Sequence, residues 1–64
     1  MNIGWVKGIV TPVELSSLLS VQLPEDGMFL VKLSDLDIRS AFFDYRTGQW
    51  ENVNGVKEWT LIPQ

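Results

Sequence analysis

Residues 42–63 carry two Phe, one Tyr and two Trp, with two turn signals set between them. So many bulky side chains and reversals in 22 residues confine the chain to a small antiparallel sheet. Asn54-Gly55 is the pair favoured in a type I′ turn, because both central residues must take positive φ. A two-residue loop there sets Val53 opposite Val56 and Trp50 opposite Trp59. Facing aromatics add roughly 0.2–1 kcal/mol over an Ala pair. The same register sets Glu51 against Glu58, which is unfavourable, so a bulge or a longer loop is the alternative. Upstream, Asp44-Tyr45-Arg46-Thr47-Gly48 reads as a second hairpin loop. Asp44 can accept from the backbone ahead of it, and Gly48 can take the left-handed position that closes the loop. The expectation is a three-strand meander of about residues 38–44, 49–53 and 56–62, with Pro63 ending the last strand because it lacks an N–H.

The rest of the chain reads as material that pairs with this meander or covers it. Residues 3–10 have Ile3, Trp5 and Ile9 on one phase and Val6 and Val10 on the other. That pattern suits a strand, with Gly4 and Gly8 bending it or admitting another backbone. Lys7 breaks the Trp5 phase and suggests an edge. Thr11-Pro12-Val13-Glu14 has the marks of a helix start: a capping Thr, Pro in first place, and Glu three residues after the cap. Leu15, Leu18 and Leu19 follow at helical spacing, which predicts a short helix over 12–19 with its Leu face inward. Leu23-Pro24-Glu25-Asp26-Gly27 is a turn. Residues 28–33 are apolar on both phases except at Lys32, as in a strand at the centre of a sheet. Ser34-Asp35-Leu36-Asp37 connects it to the next strand, where Phe42 and Phe43 point to opposite faces.

Composition narrows the chemistry. With 64 residues the chain makes one domain, 1–64, whose burial barely offsets its ordering entropy. There is no Cys and no His, so disulfides and the favoured zinc ligands are missing. A net charge of −3 with scattered cations disfavours nucleic acid as a partner. No run of 18 apolar residues predicts a membrane span, and no signal peptide is expected.

Nucleophilic catalysis needs an activated Ser. The five Ser have no His as base and lie in no Gly-x-Ser-x-Gly elbow, and a Ser–Lys pair with Lys7 or Lys32 is outweighed by solvated polar residues. Asp35 and Asp37 form an isolated Asp-x-Asp, whereas calcium asks for six or more oxygens. No catalytic, cofactor-binding or metal-ligating residue is assigned. The candidates for contact are Trp5, Phe43, Tyr45, Arg46, Trp50 and Trp59, because Trp, Tyr and Arg are the usual interface anchors. For Trp50 and Trp59 the core is the favoured role, whereas Trp5 suits core and interface alike. Tyr45 and Arg46 sit at a loop tip, where solvation is the plainer role.

Several of these segments together carry a likeness. Leu23-Pro24-Glu25-Asp26-Gly27, an apolar strand, Ala41-Phe42-Phe43-Asp44, Gly48-Gln49-Trp50 and Val56-Lys57-Glu58-Trp59-Thr60-Leu61-Ile62-Pro63 follow one another. This order resembles the small phage and prophage family called domain of unknown function 551. That family shows a Leu-Pro-Glu-x-Gly turn, an Ala-aromatic-aromatic-Asp strand, a Trp, and a Val-Thr-His-Trp-Met-Pro-Leu-Pro-like tail. The likeness spans about residues 19–63. Glu58 stands where the family has His, the tail is shortened, and residues 3–10 have no counterpart. The resemblance implies provenance as an accessory protein of a tailed phage, and it supplies no activity and no catalytic residues.

Together these readings predict an all-β or β-rich α+β fold. It has four to five short antiparallel strands in a curved meander or small barrel, with one short helix near 12–19. The expected function is that of a non-enzymatic phage-encoded accessory protein in the host cytoplasm. It would bind and inhibit a host protein, such as a defence or replication component. One alternative is an oligomeric sponge for a small nucleotide signal, with Trp or Tyr stacking a base and Arg39 or Arg46 meeting phosphate. Another is a structural or virion-associated protein. The expected partner is a host protein, with a homo-oligomer in addition. No cofactor is expected.

Overall fold

A computed structural model describes residues 4–62. Five strands, β1 (Val6–Lys7), β2 (Met28–Ser34), β3 (Asp37–Asp44), β4 (Gln49–Trp50) and β5 (Glu58–Thr60), pair antiparallel. One helix, α1 (Pro12–Leu19), follows β1. The strands lie in the order β1-β5-β2-β3-β4, and the sheet curls into a half-barrel. The class read from the sequence is the class observed. The roles expected of Ile3 and Pro63 fall outside the described residues.

Strand alternation sorts the side chains onto two faces. Phe29 pairs with Ala41, Val31 with Arg39 and Trp59, Phe43 with Trp50, and Trp59 with Val6. These residues share the inner face. The core there is Phe29, Val31, Ala41, Phe43 and Trp59, joined by Leu15 from α1. β2 is central, as its apolar run predicted, with Phe29 and Val31 fully buried. Each such side chain contributes about 1.5–3 kcal/mol relative to exposure.

Local signals held where the chain decides locally. Thr11 caps α1: its Oγ1 accepts from the Glu14 N–H at 3.2 Å, and its hydroxyl donates to Glu14 Oε1 at 3.2 Å. The 24–27 turn closes with the Gly27 N–H on the Pro24 carbonyl at 3.2 Å and the Met28 N–H on Asp26 Oδ1 at 3.1 Å. The 44–48 loop joins β3 to β4 as expected. Asp44 Oδ1 accepts from the Arg46 N–H at 2.8 Å, and the Gly48 N–H donates to the Asp44 carbonyl at 2.8 Å.

The expected hairpin at Asn54-Gly55 does not form. β4 and β5 lie at different places in the sheet, with β2 and β3 between them. Among the described non-glycine residues only Ser20 has positive φ, so Asn54 lacks the geometry of a type I′ turn. The chain instead crosses over and inserts β5 between β1 and β2. The physical gain is clear on both ends of the rejected register. Glu58 exchanges Glu51 for Lys32, whose Nζ lies 3.5 Å away. Trp59 becomes fully buried, and its indole N–H donates to the Val10 carbonyl at 2.6 Å. The two indoles therefore do not face each other. Both meet Phe29 edge-on, Trp50 at 5.8 Å and Trp59 at 5.3 Å between ring centroids.

Two further expectations need correction. The strand foreseen over 3–10 shrinks to Val6–Lys7, because the Val10 N–H turns back onto the Lys7 carbonyl at 3.0 Å. It does lie at the sheet edge, and Gly8 does admit a neighbouring backbone. In α1 only Pro12 and Leu15 are buried, while Leu18 and Leu19 are exposed. The helix meets the core with its first turn, and its second turn runs past it.

Candidate interaction surface

The outer face of the sheet is built by the opposite phase of the same strands. Leu30 pairs with Thr60 and Ser40, Lys32 with Glu58 and Ile38, and Met28 with Phe42. Trp5 precedes Val6, an inner residue, and so belongs outside. Lys32 confirms this placement, since its Nζ stands 4.7 Å from the centre of the Trp5 ring. Trp5 is 39% exposed and Phe42 38%, with half-buried Met28 and Leu30 between them and Ile38 more open at the far edge. α1 contributes Leu15 to the inner face, while on the outer one Thr60 is buried, its hydroxyl donating to the Gly4 carbonyl at 2.7 Å. Two partly exposed large aromatics on one sheet face, with the Lys32–Glu58 ion pair beside Trp5, suit contact with another macromolecule.

The residues singled out from sequence scatter over the molecule. Trp5 lies on the outer face. Phe43 and Trp59 are core. Trp50 is half-buried on the inner face, 5.0 Å from Phe43 in an edge-to-face contact. Tyr45 and Arg46 stay in the 44–48 loop. The Tyr45 hydroxyl donates to the Pro24 carbonyl at 2.5 Å and ties this loop to the 24–27 turn. Burial raises the Tyr45 phenol above its ordinary value near 10.0, and the nearby Asp26 carboxylate adds to the rise. Arg46 is almost wholly exposed, with Nε 3.8 Å from Asp44 Oδ1. The structure thus places Trp5 on the same face as Phe42, with β5 and β2 between them, and brings Trp5 into contact with Lys32 rather than with another candidate. Phe42 was missed as a contact residue, although the adjacent aromatic pair already placed the two Phe on opposite faces, so that either both faces are covered or one Phe is presented outward.

Between the two tied loops lies a shallow depression of about 260 Å³. Glu25, Asp26, Asp44 and Glu51 line it with Tyr45 and a single cation, Arg46. Four carboxylates against one guanidinium repel a phosphate. Arg39 is engaged too, with Nη2 2.9 and 3.0 Å from the two Asp37 carboxylate oxygens. The geometry therefore gives no support to a nucleotide held by Tyr45, Arg46 or Arg39. Among the described residues no three His, Cys, Asp or Glu side chains gather where they could hold a metal ion. Among the same residues no helix is long and apolar enough to cross a membrane.

Fold and face together define a small antiparallel half-barrel with an aromatic outer surface. No family model, no curated protein and no solved structure matches this chain.

Proposed function

We propose that this protein acts by contact: a non-enzymatic accessory protein of a phage, working in the host cytoplasm, that binds a host protein through its outer sheet face and inhibits it. The observation that carries the binding role is that Trp5 and Phe42, on the same outer face, are 39% and 38% exposed. A chain this small gains scarce stability from every buried aromatic, so two left half-open on one side favour a partner. The phage provenance rests on the resemblance of residues 19–63 to domain of unknown function 551. A defence or replication component is the class of target that such provenance suggests.

The test is affinity capture from bacterial extract with a stabilising crosslinker, run with the wild type and with Trp5→Ala/Phe42→Ser in parallel. The reading expects a host protein enriched by the wild type and lost by the double variant, with both chains folded by near-ultraviolet circular dichroism. Equal capture by the two, or capture by neither, overturns it.

A further inference from the structure

We propose that two copies of this chain pair antiparallel along the open edge of β3, about a two-fold axis through Ile38, to make one continuous sheet. This goes beyond the binding role above and stands on different residues. β3 has eight residues, but β4 pairs with it only at Phe43 and Asp44. Just beyond, the Glu51 N–H donates to the Phe42 carbonyl at 2.9 Å, and the Phe42 N–H donates to Asn52 Oδ1 at 3.3 Å. Phe42 therefore turns its backbone groups to that edge. By strand alternation Ser40 and Ile38 turn theirs the same way. Among the described residues these groups meet no partner, and β4 has already ended. Such a row is a template for another strand.

Charge selects both the occupant and the register. Within each copy Arg39 Nη2 already lies 2.9 and 3.0 Å from the Asp37 carboxylate oxygens, so pairing about Ile38 brings two such ion pairs side by side, Asp37 of each opposite Arg39 of the other, as one alternating cluster. Pairing about Arg39 would set guanidinium against guanidinium. Pairing about Ser40 would need the Phe42 groups that Glu51 and Asn52 already hold. Registers centred between residues would match edge-pointing groups with inward-pointing ones. Leu36 is 98% exposed and Ile38 50%, so apolar surface is concentrated at this same edge. A two-fold perpendicular to the sheet keeps both outer faces on one side and doubles the surface that carries Trp5.

The contact is small, so the dimer is weak and exchanging. Sedimentation velocity on the full chain should show it growing in from about 10 μM to about 1 mM, the range expected of an interface below ~1,000 Å². Asp37→Arg alone, or Arg39→Asp alone, sets like charges opposite twice and should weaken pairing about ten-fold. Asp37→Arg/Arg39→Asp should restore it. Trp5→Ala/Phe42→Ser should leave it unchanged, which separates this proposal from the host-binding one. A wild type still monomeric at the top of the range overturns the inference. So does a dimer indifferent to the single swaps, or one that the double swap fails to restore.

Discussion

Gly8→Ala is the sharpest probe of how β1 meets the chain that precedes β5. A Cβ at this position would stand 2.1 Å from the Val56 carbonyl oxygen, 3.0 Å from its carbon and 3.1 Å from the Lys57 oxygen. All three are backbone atoms, so no rotamer change relieves the clash. β1 must retreat by about 1 Å to restore ordinary contact. That movement breaks the Gly8 N–H bond to the Lys57 carbonyl, now 2.7 Å long. Overpacking costs ~1–3 kcal/mol and the lost bond about 1 more, for a total of about 2–4 kcal/mol. A chain of this size holds only about 3–10 kcal/mol in all, so the variant should lose a large share of its stability and unfold at a clearly lower urea concentration. Urea titration followed by Trp fluorescence reads the loss. Gly48→Ala serves as the control: it has φ +73 but no atom within 4 Å of its added Cβ, and should cost only ~1–2 kcal/mol. A Gly8→Ala protein within about 0.5 kcal/mol of wild type would refute the close approach and, with it, the placing of β1 beside β5.

Trp59→Phe should cost about 2–4 kcal/mol, because it leaves the Val10 carbonyl without its indole donor and opens space beside Phe29; thermal melts would show it. Leu15→Ala should cost ~2–4 kcal/mol, whereas Leu18→Gln and Leu19→Gln should each stay within about 0.5, as the same melts would check. Tyr45 is the one tyrosine, so alkaline absorbance isolates its titration, and its midpoint should lie above 10.0 in the folded protein. The sign follows from the raised value. The stabilisation is full below the unfolded pKa and is lost as pH rises through the folded one, so Tyr45→Phe should remove that alkaline loss.

What the sequence disclosed and what it concealed divide by range. The Thr11 cap, the 24–27 turn and the 44–48 loop are settled within four or five residues, and each formed as read. Asn54-Gly55 carried an equally strong local signal and failed, because its outcome depends on distant groups. Lys32 draws Glu58 to β2, and the Val10 carbonyl draws the Trp59 indole into the core. No pattern near residue 54 records either pull. The contact face was half legible. Alternation set Phe42 and Phe43 on opposite faces, but which of them lay on the outer one followed from the pairing of Phe43 with Trp50 on the inner side. Trp5 declared itself only through its neighbour, since Val6 had first to be fixed opposite Trp59. The Leu face of α1 misled for a related reason: helical spacing sets which side is apolar, and the extent of the sheet beneath decides how much of that side is covered.

The contact role of the outer face can be read directly by site-specific photo-crosslinking. A benzophenone amino acid is placed at position 5, at 42, or at the exposed helix position 17, and irradiated in bacterial extract. The account predicts that one host protein is trapped from positions 5 and 42 and not from 17. Trapping from 17 alone, or from none of the three, would contradict it.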